Sequence, residues 1–128
     1  MIKENKLIKF SIDSVENPTI DYPRIERRII GKPRRETWNT FSVYASNSKL
    51  DCGIWKSEPG HWRIEMPADE CELFTVISGV CRLHDDDGTA IEAIAGDSVF
   101  IPYGFLGSFE VIEEISKTYA ILSPKDTW

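Results

Sequence analysis

The sequence predicts an all-β protein built as a barrel or a sandwich. Turn residues interrupt the chain at regular intervals, and the apolar pieces between them are roughly 6 to 11 residues long, the spacing typical of such folds. No long helical periodicity, internal repeat or low-complexity segment is visible. The predicted turns lie at Asn47-Ser48, Pro59-Gly60, Pro67 to Asp69, Asp87-Gly88, Gly96-Asp97, Pro102 to Gly104 and Ser123-Pro124.

The length and composition of the chain are those of an acidic protein with a single domain. The chain has 128 residues, 41% of them hydrophobic, and a net charge of −6. Nucleic acid is not expected as a partner, because phosphate binding requires a basic surface. No apolar leader and no run of about 18 apolar residues is present, so no membrane partner is expected. The odd number of cysteines, without CxxC spacing, predicts free buried thiols in a reduced, cytoplasmic protein.

The chain divides into a polar first part and a strand-rich second part. We expect an extended N-terminal arm over residues 1–36 and a barrel over residues 37–128. Six basic residues fall within twelve positions of the arm: Arg24, Arg27, Arg28, Lys32, Arg34 and Arg35. They indicate either a solvated edge or a site for an anionic ligand or an acidic partner.

Two segments carry the most specific pattern in the chain. GHWRIEMPADECELFTVISG, residues 60–79, has glycines at both ends and Glu72 between them, and GDSVFIPYGFLGSFEV contains Gly96, Pro102 and Gly104. They resemble the two cupin motifs, G-x5-H-x-H-x3-E-x6-G and G-x5-P-x-G-x2-H-x3-N. The resemblance implies a cupin jelly-roll β-barrel (RmlC-like) of about six to eight strands, with glycine and proline shaping the turns.

The metal ligands of these motifs are replaced. Glu72 is the one retained ligand, and a lone carboxylate competes poorly with water for a divalent transition ion. No cofactor is therefore expected. A manganese, iron, nickel or zinc ion held by Glu72 and distant donors stays open, with His61 as a weak candidate. The replacements are Met66 and Ala68 for two histidines, Gly107 for the third histidine and Val111 for the asparagine.

A narrower resemblance covers about residues 31–122. GKPRRETWNTF, CGIWKSEPGHW and the closing KTYAIL are similar to a small single-domain cupin group. That group is related to the cupin domain of (S)-ureidoglycine aminohydrolase and to ethanolamine-utilisation-type cupins. In it a glycine at the Gly107 position is usual, and Phe109 stands where tryptophan is usual. The aminohydrolase binds manganese through Glu, His and Gln and hydrolyses an aminated ureide, and of these ligands only Glu72 is matched.

Strand alternation orders the side chains around Glu72. Phe74 lies on the same face of its strand as Glu72. Ile64 and Met66, on the strand before the turn, alternate in step with Glu72 and are expected on the same side, so this side of the barrel interior is predicted to be apolar. A carboxylate there costs on the order of several kcal/mol unless it is paired or protonated. Lys117 is a candidate partner. A desolvated Glu72 is also a candidate catalytic acid or base.

Aromatic residues complete the predicted pocket. Trp55 and Trp62 flank a turn, where they either pack in the core or form walls for a flat or cationic ligand. His84 is expected to point to solvent beside an acidic hairpin, and His61 to lie in a turn near the barrel mouth. The candidate ligand-binding residues are Trp55, Trp62, Met66, Phe74, Phe100, Tyr103, Phe105, Lys117 and Tyr119.

Three functions fit these observations. The first is a small-molecule-binding cupin without the His-rich metal site, linked to nitrogen or amine metabolism through its relatives. The second is an aminohydrolase-like or isomerase-type enzyme that uses Glu72 as acid, base or metal ligand. The third is an accessory subunit that docks through its basic arm. A homodimer is expected, because the arm and the exposed strand edges offer surfaces to a second copy.

Overall fold

The computed structural model describes residues 6–9 and 17–125, which are mostly β-strand. The strands are β1 (Thr19–Asp21), β2 (Arg28–Ile30), β3 (Arg35–Ala45), β4 (Ser48–Ser57), β5 (Gly60–Glu65), β6 (Cys71–Asp85), β7 (Ala90–Ala93), β8 (Ser98–Ile101) and β9 (Leu106–Pro124). One short 3₁₀ turn, Ile25–Arg27, precedes β2. The predicted all-β class is confirmed, since the strands form a curled antiparallel sheet, a jelly-roll barrel.

Two long strands hold the barrel together. The sheet runs β1-β3-β4-β9-β5-β2, and β6 pairs with β9 and also with β7 and β8. β6 has 15 residues and β9 has 19, so the expected pieces of 6 to 11 residues were too short. The register between β6 and β9 shifts around Ser78 and Val80. Such bulges bend a strand, which lets β6 continue through Gly79 without a turn.

The described part of the predicted arm joins the sheet. β1 pairs with β3, and β2 pairs with β5. Several basic side chains of this segment contact groups of the same chain, as expected for a solvated edge: Arg35 with Asp21 (2.6 Å), Arg34 with Glu36 (3.5 Å), Arg27 with Glu65 (3.9 Å) and Arg28 with the Pro23 carbonyl oxygen (2.8 Å). Residues 1–5, 10–16 and 126–128 lie outside the described residues, and the domain boundary at residue 36 stays a prediction.

The core lies between the two halves of the curled sheet. The predicted inward face of β6 is confirmed, because Phe74 and Val76 are buried whereas Leu73 is 51% exposed. Trp62, Leu83, Val99, Ile101, Phe109, Val111 and Ile115 join them in the core cluster. The predicted free thiols are also confirmed, since Cys52, Cys71 and Cys81 are all buried and unbridged. Burial raises the pKa of Cys81 to about 11, which makes this thiol a poor nucleophile.

The hairpin expected at Asp87-Gly88 is confirmed. The Asp85 amide donates to the Thr89 carbonyl oxygen at 2.8 Å, and the Gly88 amide donates to the Asp85 carbonyl oxygen at 3.0 Å. Gly88 has a φ of 94°, the conformation that favours glycine in a tight turn. Within the described ranges, no helix is long and apolar enough to cross a membrane.

We expect Gly79→Ala to destabilise the protein more than Gly88→Ala. Both glycines have positive φ, which costs a side-chain-bearing residue about 1–2 kcal/mol. A Cβ on Gly79 would lie 2.1 Å from the Glu114 carbonyl oxygen, whereas a Cβ on Gly88 meets nothing within 4 Å. The total loss for Gly79→Ala should therefore reach about 3 kcal/mol. Urea unfolding of both variants measures this difference, and equal losses would contradict a steric requirement for glycine at the β6 bulge.

Candidate functional site

A cavity of about 530 Å³ opens inside the barrel, between β3, β4, β5, β9 and the start of β6. This volume is typical of small-molecule sites. The structure brings Glu72 together with five of the nine candidate ligand-binding residues at this cavity: Trp55, Trp62, Met66, Lys117 and Tyr119. Phe74 lies below it, with its ring centroid 4.1 Å from the Lys117 ammonium. The cavity is therefore the place where a ligand would meet these side chains.

A buried ion pair lies in the cavity wall. Lys117 Nζ donates to Glu72 Oε2 at 2.7 Å, so the predicted pairing is confirmed. The side chains are only 6% and 13% exposed, respectively. The same ammonium lies 4.7 Å from the Trp55 ring centroid and 5.0 Å from that of Phe109. The carboxylate and the ring faces together replace the hydration that Lys117 loses on burial.

Three aromatic rings form one continuous wall. Trp62 stacks on Phe109 with centroids 5.4 Å apart and an interplanar angle of 22°. Trp55 meets Phe109 edge-on at 5.7 Å. Trp55 and Trp62 line the cavity and are half-buried and buried, respectively. Of the two alternatives for the tryptophans, core packing holds for Trp62, which belongs to the core cluster and is 4% exposed, while the role of Trp55 as a wall for a ligand stays a prediction.

A polar pair crosses the cavity from β9 to β3. Tyr119 donates its hydroxyl to Asn39 Oδ1 at 2.7 Å, and Asn39 Nδ2 donates to Ser42 Oγ at 3.0 Å. Burial, followed by the nearby carboxylate of Asp51, raises the pKa of Tyr119. The phenol therefore stays protonated and acts as a hydrogen-bond donor.

Two carboxylates that the sequence reasoning missed line the same cavity. Asp51 accepts a hydrogen bond from Ser42 and lies 3.8 Å from the Lys49 ammonium. Glu70 is half-buried, and within the described residues its carboxylate forms no hydrogen bond or ion pair. Burial raises the pKa of Glu70, and the nearby charges of Glu72, Asp69 and Asp51 raise it further, while the charge of Lys49 opposes the change. Glu70 stands two residues before Glu72, but it precedes the start of β6, so strand alternation did not place it in the cavity.

Basic side chains form another part of the cavity lining. Arg35 donates to both carboxylate oxygens of Asp21, at 2.9 and 2.6 Å, and its guanidinium lies 5.2 Å from the Trp62 ring centroid. Arg27 lies 3.9 Å from Glu65. Both arginines are thus paired with acidic groups, which reduces their attraction for an anionic ligand.

Besides Phe74, three candidate residues do not line this cavity. Phe100 is 55% exposed and Tyr103 is exposed in the turn after β8, so placing them in the barrel interior was wrong. Phe100 points outward because side chains alternate along a strand, and its neighbours Val99 and Ile101 are the inward residues of β8. Phe105 packs against the core and, with Phe100, lines a separate cavity of about 180 Å³.

The histidines form a cluster on the outer face of the sheet. His84 faces outward as expected, but it is half-buried, and its Nε2 donates to Glu110 Oε1 at 2.8 Å. His61 lies within β5 rather than in a turn, and its Nε2 is hydrogen-bonded to Ser108 Oγ at 2.7 Å. The two rings are 4.9 Å apart. The contact with Glu110 was not foreseen, because β9 lies beside β6 and supplies a partner that local sequence does not reveal.

The pKa values in this cluster follow from its contacts. Burial lowers the pKa of His61, while the charge of Glu110 opposes that change. The hydrogen bond with His84 lowers the pKa of Glu110. His61 alternates with Trp62, which lines the cavity, so the His61 ring is on the opposite side of β5 and is remote from Glu72.

The described residues do not fit the metal that cupin motifs commonly hold. A Cβ on Gly107 would lie 2.1 Å from the His84 carbonyl oxygen and 2.6 Å from Phe105 Cζ, so this position cannot hold a histidine without a backbone shift. Met66 offers only a weak thioether donor, and one oxygen of Glu72 already accepts from Lys117. No cluster of three or more His, Cys, Asp or Glu residues suited to a metal occurs in residues 6–9 and 17–125.

We expect strong coupling between Glu72 and Lys117 in the free energy of unfolding. Glu72→Gln or Lys117→Met alone leaves a buried charge without its partner, which costs about 3–5 kcal/mol. The double variant removes both charges and should cost about 1–3 kcal/mol less than the sum of the single changes. Urea unfolding of the four proteins measures this coupling. The exposed pair Arg82 and Glu92 provides the control cycle, and additive losses at Glu72 and Lys117 would contradict a buried pair.

Comparisons with known proteins agree with this architecture. The model of the EutQ-like cupin domain matches residues 45–119. A Pseudomonas syringae pv. tomato DC3000 protein of the DUF861 family, of unknown function, is 27% identical with a TM-score of 0.72, over 84% of this chain and 45% of that protein. The present chain thus spans less than half the length of that relative.

Two further solved structures share the fold. The Clostridium difficile EutQ protein is 23% identical with a TM-score of 0.60, over 74% of this chain and 71% of that one. A cupin-2 domain containing protein from Shewanella frigidimarina NCIMB 400 is 23% identical with a TM-score of 0.51, over 70% and 79%. No curated protein matches the sequence. Since the family model covers more than half of the residues, this chain belongs to the EutQ-like cupin domain family.

Proposed function

We propose that this cupin binds a small amine-bearing molecule in its barrel cavity, through protein side chains rather than through a cupin metal. The observation that carries the proposal is Glu70, a half-buried carboxylate that lines the cavity and has no partner there among the described residues. This partly buried carboxylate is repelled by the charges of Glu72, Asp69 and Asp51 and attracted by that of Lys49, and a bound cation would stabilise it further.

The charges of the cavity support a cationic ligand. Lys117 is neutralised by Glu72, Arg35 by Asp21 and Arg27 by Glu65. Asp51 lies beside Lys49. Lys49 also attracts the Glu70 carboxylate, so this one ammonium serves two carboxylates and the cavity carries a net negative charge. A cation enters such a site favourably, whereas an anion is repelled.

The wall of rings supplies the second part of the recognition. An ammonium group near Glu70 would gain a charge-assisted hydrogen bond of about 1.5–3 kcal/mol. Contact of its methylene or methyl groups with the half-buried ring of Trp55 would add about 0.5–2 kcal/mol. The amides and hydroxyls of Asn39 and Tyr119 offer hydrogen bonds to a polar group at the other end of the ligand. A small amino alcohol or a related amine satisfies all three demands.

The relatives support an amine as the first class to test. The sequence resembles ethanolamine-utilisation-type cupins, and a neighbouring structure bears the name EutQ. A link of this chain to nitrogen or amine metabolism is part of the proposal. It rests on the charge and shape of the cavity more than on these names, since identities below 25% support the fold alone.

A second candidate function is favoured by one observation. The raised pKa of Glu70 is the property that a general acid or base needs near neutral pH, so an aminohydrolase-like or isomerase-type reaction could use this group. Glu72, the group first expected in that role, has one carboxylate oxygen engaged by Lys117. In such an enzyme Glu70→Gln would abolish turnover of an amide or ureide while leaving the fold intact.

We expect ethanolamine and choline to raise the melting temperature and to give measurable binding heats, whereas ethylene glycol, a neutral analogue of ethanolamine, should do neither. Glu70→Gln should weaken ammonium binding about 10- to 100-fold, because it removes the charge-assisted hydrogen bond. Glu92→Gln, on the exposed outer face, is the matched control and should bind like the parent. Equal binding of ethanolamine and ethylene glycol, or full affinity in Glu70→Gln, would contradict the proposal.

We also expect choline affinity to rise with pH. Choline has a fixed charge, so only the protein titrates, and the cation requires the carboxylate form of Glu70. Because burial raises the pKa of Glu70 above its ordinary value of 4.5, the affinity should fall about tenfold per pH unit below the raised pKa and level off above it. Isothermal titration of the parent and of Glu70→Gln tests this, and the variant should show a flat profile. The same slope in both proteins would exclude Glu70 as the titrating group.

A further inference from the structure

A third cavity, also of about 180 Å³, lies beside β5 and is lined mainly by arginines. Pro23, Trp62 and Ile64 complete its lining, and none of these described lining residues is acidic. We call it the arginine cavity. A water molecule occupies about 30 Å³ of the liquid, so there is room for a small oxyanion. The four arginines are Arg24, Arg27, Arg35 and Arg63.

The short turn before β2 places two of these arginines on one side. The Arg27 amide donates to the Arg24 carbonyl oxygen at 2.9 Å, which closes the 3₁₀ turn. Residues three apart in such a turn lie above one another, so Arg24 and Arg27 face the same way. Pro23, which is buried, anchors the turn, and its carbonyl oxygen accepts a 2.8 Å hydrogen bond from Arg28 Nε. The segment PRIERR, residues 23–28, thus directs two guanidinium groups to the cavity.

The other two arginines come from strands. Arg35 begins β3, and its guanidinium bonds both oxygens of Asp21 and lies 5.2 Å from the Trp62 ring centroid. Arg63 lies on β5, next to Trp62. A guanidinium has five N–H groups, and Arg35 uses two of them on Asp21, so others remain for a ligand. The carboxylate and the ring hold Arg35 in place before a ligand arrives, which lowers the entropic cost of binding.

Arg27 has the largest unused hydrogen-bonding capacity of the four. Its Nη2 lies 3.9 Å from Glu65 Oε1, which is too long for a hydrogen bond. The side chain of Arg27 is only 29% exposed, yet it donates no hydrogen bond to the residues that the structure describes. An oxyanion in the cavity would supply the missing acceptors and strengthen them by its charge.

The charges around the cavity also favour an anion. Arg28 adds a positive charge beside the cavity, because its described contact is a carbonyl oxygen and not a carboxylate. The four lining arginines and Arg28 therefore have only four acidic partners between them in the described chain, which leaves a positive charge in excess. The barrel cavity, by contrast, carries a net negative charge. The acidic partners are Glu26, Glu65, Asp21 and Asp86.

We infer that the arginine cavity binds a phosphate group. Guanidinium groups bond phosphate oxygens in pairs, and donors that come from a turn and two strands suit a tetrahedral group better than a planar carboxylate. The cavity shares Arg27, Arg35, Trp62 and Ile64 with the barrel cavity, so the organic part of a phosphomonoester has space beside it. The inference does not depend on the amine proposed for the barrel cavity.

Titration of the full chain with inorganic phosphate at constant ionic strength tests the inference, with NMR signals of the arginine Nε–Hε groups as the readout. The Arg27 signal should shift in a saturable manner, with a dissociation constant on the order of millimolar. Arg27→Gln and, separately, Arg63→Gln should weaken binding at least about tenfold, because each removes charge-assisted hydrogen bonds. Both side chains are partly exposed, so the fold should tolerate the changes, and circular dichroism verifies this.

Arg82→Gln is the matched control. The Arg82 side chain is 41% exposed and pairs with Glu92, much as that of Arg63 is 40% exposed and pairs with Asp86. The control should bind phosphate like the parent. No saturable shift in the parent up to about 50 mM phosphate would overturn the inference. Equal weakening in all three variants would also overturn it, because attraction by surface charge alone would then explain the binding.

Glycerol phosphate distinguishes the two sources of a phosphate group. Affinity equal to or above that of inorganic phosphate would assign the arginine cavity to a phosphomonoester, whereas lower affinity would assign it to free phosphate. Neither probe carries an amine. A failure of both probes would therefore overturn the phosphate site and leave the proposal for the barrel cavity to its own test.

Discussion

The ion pair between Glu72 and Lys117 decides what the interior of this barrel can do. Glu72 occupies the glutamate position of the first cupin motif, where the resemblance implies a metal ligand, but one of its oxygens accepts a 2.7 Å hydrogen bond from a buried ammonium. The ammonium already satisfies the charge that a metal would otherwise satisfy, and three ring faces surround it. The free carboxylate of the cavity is then Glu70, and the chemistry of a ligand is set by that group and the adjoining rings.

The backbone around the lost ligand positions supports the same interpretation. At Gly107 the main chain approaches the His84 carbonyl oxygen so closely that a side chain would clash. A single glycine-to-histidine change would therefore not restore the cupin site. The barrel has the glycine and proline turns of the cupin motifs, while its interior combines an internal ion pair, an aromatic wall and the partly buried carboxylate of Glu70. The poor fit to a cupin metal is thus a property of the packing as well as of the replaced donors.

Local chemistry in the sequence accounts for much of the fold. The glycines and prolines at the turns predicted the barrel. The alternation of side chains along the strands predicted the inward face of β6 and the partner of Glu72. Contacts between distant strands were beyond this reasoning. Phe100 was misplaced because the inward positions of β8 depend on its register with β6. The hydrogen bond of His84 was missed because its partner, Glu110, comes from β9. Glu70 was missed because its amide bonds to the Pro67 carbonyl in a turn, and parity is uncertain before a strand begins.

The metal content of untagged protein, purified without chelator beside its Glu72→Gln variant, tests the central claim most directly. If Lys117 is the partner of Glu72, both proteins should contain manganese, iron, nickel and zinc only far below one ion per chain. Near-stoichiometric metal in the parent that disappears in Glu72→Gln would contradict this, because Glu72 would then be a ligand and Lys117 would have to move away from it.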